Sequence, residues 1–230
     1  MFSRMFRRDL TLLSGKMLAR EGFAFARFGQ DQWDLIKLGE HEQASEDETL
    51  LAQDLLDALQ HQESDYAYGL GCNCCAREAR QALMQQCPQP ASKISMSSLI
   101  FNANYQAFKM TLAGLDESVI LLADIPCTEQ HYPFAIAAGF AVGDDVTSDY
   151  AASRTSIIDA AKELAKSFTK KLFFVGLPPF SPVLVHHMYQ TNPSNRYIDV
   201  GSALDEWTHG ELTAAYQRVG TDESKRVCSC

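Results

Sequence analysis

The sequence predicts an α/β protein: a single Rossmann-like domain with a mostly parallel sheet and helices on both faces. Three observations lead there. Short β-like runs alternate with helical periodicity along the whole chain. Residues 119–123 (VILLA) are continuously apolar, as a strand buried on both faces requires. The 230 residues, 46% hydrophobic and 21% charged, suit one large domain and set aside disordered, collagen-like and coiled-coil classes.

The elements follow in order. Residues 23–28 (FAFARF) alternate large and small side chains as a strand, and 32–38 continue as a short helix. Ser45 and Glu48 form a capping box ahead of Leu51, Leu55 and Leu59, one stripe of a helix. Residues 66–70 (YAYGL) read as a strand, after which Asn73 is placed to cap a helix that Pro88 stops. An apolar segment at 94–101 precedes a helix through Tyr105, Phe108 and Leu112, closed by Gly114. Strands are expected at 119–123, 134–142, 172–175 and 197–200. Residues 153–168 carry the clearest amphipathic helix. Ser181 before Pro182 reads as an N-cap with proline at the first helical position, and 203–218 as helical apart from a break at Gly210.

Charge divides the chain unevenly. The net charge is −9, with nine acids and no Lys or Arg in 40–65, which argues against a protein that grips nucleic-acid phosphates. Residues 1–20 carry five basic groups against Asp9 and read as a basic N-terminal helix or arm, frayed and solvated. Residues 21–220 form the domain and 221–230 a C-terminal tail. The apolar stretches of the first twenty residues are too broken for a secretory signal, and no run approaches the ~20 residues of a membrane span, so a cytoplasmic protein without a membrane span is expected.

Seven cysteines include Cys72, Cys74 and Cys75 in GLGCNCC, and Cys228 and Cys230 in the tail. Read as two Cys-x-Cys groups they lack the Cys-x2-Cys spacing of zinc sites. They read as small buried hydrophobes and a loose tail, and structural zinc is not expected. His186 and His187 sit in an apolar helix and read as a packed pair.

Ligands of open α/β sheets bind outside the carboxyl ends of the strands. The strand-following loops are 29–34, 69–75, 124–130, 176–181 and 201–206. No P-loop, Gly-x-Gly-x-x-Gly fingerprint or Gly-x-Ser-x-Gly elbow is present, which disfavours ATPases, ordinary dehydrogenases and serine hydrolases.

Three segments carry a resemblance. EGFAFARFGQDQWDLI resembles the opening of the bacterial GT-D-type glycosyltransferases, where a strand ends in Arg-Phe/Tyr-Gly followed by Asp-Gly-Glu. KKLFFVGLPPFSPVLVHHMY followed by NRYIDVGSALD resembles that group's later strand, Gly-Pro loop, helix and Ile-Asp-Val/Ile-Gly strand. FNANYQAF matches an Asn-x-Asn-Tyr segment of its relatives. The matches run in order from about residue 20 to 206. They imply a sugar-nucleotide-dependent hexosyltransferase with Mn²⁺ or Mg²⁺ near the first loop. The donor site would draw on Arg27, Gly29, Asn102, Asn104, Tyr105, Gly176, Pro178, Pro179, Ser181 and Ser202. The acceptor is left open among a glycan, a glycoprotein and a nucleic-acid base, and a homodimer is among the expectations.

The departures bear on the chemistry. The two carboxylates of Asp-Gly-Glu are replaced here by the amides of Gln30 and Gln32 around Asp31, and a neutral amide is a poor ligand for a hard cation. Asp31 and Asp34 stand three residues apart, on one face if a helix begins there, and are the candidate metal ligands. A shifted metal site, metal-free transfer and a catalytically inactive nucleotide-sugar-binding relative all stay open. Arg27 suits a diphosphate or an ion pair at a strand end. Asp199, in an apolar strand, and Asp31 and Asp205 are the candidate catalytic carboxylates, and Asp205 reads equally as a helix N-cap. The GLPPFSP loop offers helix N–H groups to a phosphate, or is a tight structural turn.

Overall fold

The computed structural model describes residues 2–124, 132–143 and 148–229. Seven strands form one sheet: β1 (Phe23–Phe28), β2 (Tyr66–Leu70), β3 (Ile94–Met96), β4 (Val119–Ala123), β5 (Ile136–Ala141), β6 (Leu172–Gly176) and β7 (Arg196–Asp199). Their order is β3-β2-β1-β7-β6-β4-β5, and every neighbouring pair is parallel.

Because β side chains alternate in direction, the sheet feeds two cores. Ala24, Ala26, Phe28, Tyr66, Tyr68, Phe173 and Val175 face one of them. The helices α2 (Gln30–Gly39), α3 (Glu46–Leu59), α4 (Arg77–Gln86), α6 (Tyr150–Ser167) and α7 (Ser181–Thr191) cover it. Phe23, Phe25, Leu121, Phe174 and Ile198 face the other, under α1 (Phe6–Leu18) and α5 (Tyr105–Ala113). Parallel crossovers place helices on both faces, as the continuous apolar runs required. Arg196 is buried at the start of β7 and holds Glu117 through two hydrogen bonds of 2.7 and 2.8 Å, which satisfies a charge otherwise expensive to bury. No helix among the described residues is long and apolar enough to cross a membrane.

The structure corrects several local expectations. The N-terminal helix is not a solvated arm: Phe6, Leu10, Leu13 and Met17 fall on one helical face and are buried, while Arg7 and Arg8 point outward. Nor is the tail loose. Cys228 is 3% exposed, and Ser229 bridges to Met5 and accepts the N–H of Asn73. Asn73 does not cap α4, whose N-cap is Ala76. The carbonyl of Cys72 takes the N–H groups of Cys75 and Ala76, so a turn intervenes and the helix starts at Arg77. In 94–101 only β3 is a strand, since β2, beside it in the sheet, ends opposite Met96. Ser181 is the first helical residue behind an N-cap at Phe180, and its hydroxyl accepts the N–H of Leu177. Residues 203–218 break into a 3-10 turn (Gly201–Leu204), a one-turn α8 (Asp205–Thr208) and a second 3-10 turn (Ala215–Gln217), with Gly210 at φ +74° between them. A last turn, α9 (Asp222–Lys225), precedes the docked tail.

Candidate functional site

From β1 the chain passes to β2 and β3 on one side, then fills the other side with β4 to β7, so strand order reverses between β1 and β7. A crevice is expected there, beyond the carboxyl ends of these two strands. Arg27 and Asp199 meet at that place. The buried Asp199 carboxylate accepts the backbone N–H of Arg27 at 3.1 Å and that of Gly201 at 3.0 Å, and lies 3.8 Å from the Arg27 Nε. Burial pushes the Asp199 carboxyl above its ordinary range, against the pull of Arg27 and the two N–H groups. The Arg27 guanidinium lies 4.3 Å from the centre of the Phe101 ring, and its Nε has no hydrogen-bond partner among the described residues. Gly201 makes room for it. With φ at +48°, a Cβ there would stand 2.7 Å from Arg27 Nη2.

A cleft of about 350 Å³ opens over these groups, lined by Arg27, Gly29, Asp31, Gln32, Ser97, Ser98, Phe101, Pro178 and Ser202. The first turn of α2 begins at its edge, and first-turn N–H groups have no carbonyl partners within their own helix. Gln32 is spent on structure: its Oε1 accepts the Gly29 N–H at 2.8 Å, and its Nε2 donates to the Pro179 carbonyl at 3.3 Å. The Gln32 amide therefore caps α2 and ties it to the proline loop.

The two candidate metal ligands part company. Asp31 lines the cleft, whereas Asp34 accepts from Gln30 at 3.0 Å and pairs with Lys37 at 2.9 Å, which holds its carboxyl below the usual range. The side-chain oxygens lining the cleft, apart from the engaged Gln32 amide, are thus one carboxylate and the hydroxyls of Ser97, Ser98 and Ser202. Mg²⁺ and Mn²⁺ are held in such surroundings when substrate phosphates complete the shell, so Asp31 fits the ion as a single anchor.

The remaining expected site residues divide. Pro178 and Ser202 line the cleft, and Gly176 ends β6 beside Gly201. Ser181 is buried and bonded within its own loop, as described above. The residues of the Asn-x-Asn-Tyr segment do not line this cleft. Asn102, at φ +54°, donates to the Cys228 sulfur at 3.2 Å. Asn104 is buried and donates to the carbonyls of Phe6 and Leu99, pinning α1. Tyr105 is buried with its hydroxyl on Glu206 and the Ala203 carbonyl. Asp205 is no N-cap: it is the first residue of α8, and its carboxylate accepts the Thr213 hydroxyl at 2.7 Å. Burial raises its pKa.

Sequence reasoning passed over His209, whose Nε2 lies 3.4 Å from the Asp124 carboxylate. Both influence Asp205, which gives the β4 and β7 strand ends a shared polar group. Only the strand-end position of Asp124 could have signalled this. Most of loop 124–130, and Cys127 and Cys230, lie outside the described residues. His186 is buried as a packed ring against His61 and His187, and burial holds it neutral, with a pKa of about 3.

Sheet order and crevice define an α/β protein of the Rossmann-like class, a class in which ligands commonly bind beyond the carboxyl ends of the strands at such a reversal of order. Three solved structures share the fold over nearly the whole chain. The selenomethionine-substituted domain of unknown function 1792 (DUF1792) aligns with a TM-score of 0.57 and 15% identity over 96% of this chain and 92% of its own. The highly conserved DUF1792 domain described as having a distinct glycosyltransferase fold aligns at 0.54 and 16%, over 96% and 93%. A new glycosyltransferase (DUF1792) from Streptococcus sanguinis aligns at 0.59 and 12%, over 97% and 91%. At these identities the likeness is one of fold. No protein-family model and no curated protein matches the sequence.

Proposed function

We propose that this chain is a glycosyltransferase that moves a sugar from a nucleotide-diphosphate donor to an acceptor hydroxyl. The observation that carries the reading is Arg27: a guanidinium stacked on Phe101 that lines the switch-point cleft. A planar fork of donors beside a helix N-terminus suits a diphosphate. The descriptions of two structural neighbours as a glycosyltransferase fold and a glycosyltransferase agree with it.

In such a transfer the bond from the anomeric carbon to the diphosphate oxygen breaks as the acceptor oxygen bonds that carbon and gives its proton to a base. Arg27 and the first turn of α2 would take up the charge growing on the departing diphosphate. Asp31 would anchor a divalent cation through the donor's phosphates, and the cation when bound supplies further neutralisation. Asp205, one turn beyond the cleft residue Ser202, is the proposed base, its raised pKa suiting proton acceptance. Asp199 is a positioning residue, with both oxygens engaged by backbone N–H groups.

A second reading, a nucleotide-sugar-binding protein without transferase activity, is favoured by one observation. Gln30 and Gln32 stand where the resembling family has carboxylates, and Gln32 is committed to structure. One experiment separates the two. Thermal shifts with nucleoside diphosphates and nucleotide sugars, with and without Mn²⁺, find the donor, because a bound ligand raises apparent stability. Release of nucleoside diphosphate from that donor then reports turnover. Stabilisation with turnover supports the transferase, stabilisation without turnover the binding protein, and neither rejects both.

A further inference from the structure

We propose that Cys72, Cys74, Cys75 and Cys228 form a structural zinc site that staples the segment around Cys228 to the loop after β2. The sulfurs converge: Cys72 to Cys74 is 3.4 Å, Cys74 to Cys75 is 3.6 Å and Cys75 to Cys228 is 3.9 Å, and all four lie within 4.8 Å of one another. Four thiolates about 2.3 Å from one tetrahedral zinc stand roughly 3.8 Å apart, so the observed spacing is that of a single ion. An iron–sulfur cluster places several metal atoms between its thiolates and needs a wider ring.

The signal was present in the sequence. Cys72 and Cys75 are themselves a Cys-x2-Cys pair, obscured by Cys74 between them, and the turn that displaces the start of α4 brings their side chains to one side. The fourth ligand comes from 153 residues away, where spacing carries no information.

The surroundings suit the charge. Zinc with four thiolates carries a net charge of −2, and donors face three of the sulfurs. Asn102 Nδ2 lies 3.2 Å from Cys228, Ser98 Oγ 3.7 Å from Cys72, and Arg226 Nη1 3.8 Å from Cys75. Asn102 adopts its left-handed backbone at this place. Binding is a ligand exchange without redox change: each sulfur loses its proton to solvent and donates an electron pair to zinc. Backbone bonds from Asn73 to Ser229 and from Ala103 to Arg226 complete the clamp. Ser98 links it to the cleft, since the same residue lines that cavity.

The test uses the full chain, exchanged into excess zinc and then freed of unbound metal by gel filtration. Elemental analysis should find about one zinc per chain, and less than about half an equivalent overturns the proposal. Cys74→Ser and Cys75→Ser alter exposed positions, so folding survives by circular dichroism while zinc is lost and the melting temperature falls. Cys87→Ser, a buried thiol outside the cluster, keeps the metal. Cobalt substitution should give the intense visible bands of a tetrahedral tetrathiolate. Iron in place of zinc, a disulfide among the four cysteines by mass, or full zinc retention in both serine variants overturns the assignment. None of these readouts depends on donor binding, so this proposal and the transferase reading fail separately.

Discussion

The carboxylate of Asp199 accepts the backbone N–H of Arg27 at 3.1 Å, so the last residue of β7 closes the end of β1 at the point where strand order reverses. The same carboxylate takes the N–H of Gly201 and faces the Arg27 guanidinium. One buried acid thereby sets the backbone and the side chain of the main cation in the cleft. Asp199→Asn turns an acceptor into a donor aimed at an N–H group. We expect a loss of about 1–3 kcal/mol in chemical denaturation. An unchanged midpoint would show that the carboxylate is not required for this junction.

Arg27→Lys keeps the charge but gives up the planar fork and the stacking on Phe101. Calorimetric titration with the nucleoside diphosphate found by thermal shift should show affinity weakened by about tenfold, roughly 1.4 kcal/mol, with little change in melting temperature. Wild-type affinity in this variant would place the diphosphate elsewhere along the strand ends.

Asp31 and Asp34 are three residues apart yet face different partners, so single substitutions should separate them. Asp31→Asn is expected to remove the additional stabilisation that Mn²⁺ confers on the donor complex. Asp34→Asn should leave it intact and cost at most about 0.5 kcal/mol, the worth of an exposed helical ion pair. The reverse pattern, measured by thermal shift, would move the cation to the outer face of α2.

His186 supplies a pH dependence. Burial depresses its pKa to about 3, below its value in the unfolded chain. Between the two values the unfolded state binds the extra proton, so the stabilisation is complete at neutral pH and is lost as pH falls below the unfolded value of about 6.5. At about pH 5 the loss reaches roughly 2 kcal/mol for this residue, and burial of His61 and His187 acts in the same direction. Denaturant titrations of wild type and His186→Gln at two pH values should show a shallower decline in the variant. Equal slopes would mean that His186 does not bear the difference.

Asp205→Asn tests the proposed base. Turnover of the donor should fall by about 10²–10⁴-fold while donor affinity is retained. Loss of affinity with unchanged turnover at saturation would assign Asp205 to binding.

Much of the architecture was legible in the residue pattern. The VILLA run announced an interior strand, and the Leu51, Leu55, Leu59 stripe with its Ser45 and Glu48 cap matches α3 and its observed capping box. These features are local, since hydrophobic period and cap chemistry act over one or two turns of chain. The errors fell where a distant segment overrode local preference. Asn73 was left outside the cap position by the turn on the Cys72 carbonyl, and a basic N-terminal stretch became a core helix because Phe6, Leu10, Leu13 and Met17 found the sheet face beneath them.

The cleft divides in the same way. Arg27, Gly29, Asp31, Pro178 and Ser202 stand at strand ends that alternation alone locates, and the chain brings them together there. That Asn104 and Tyr105 are buried away from the cleft, that Gln32 caps α2, and that Asp34 pairs with Lys37 were not readable, because each depends on which partner lies within hydrogen-bond reach. Periodicity and composition, written along the chain, were enough to establish a parallel α/β sheet with helices on both faces. The meeting of Asp199 with Arg27, 172 residues apart, and of Cys75 with Cys228, 153 apart, was decided only by folding, since side-chain bonds act over a few ångströms and contour distance says nothing about them.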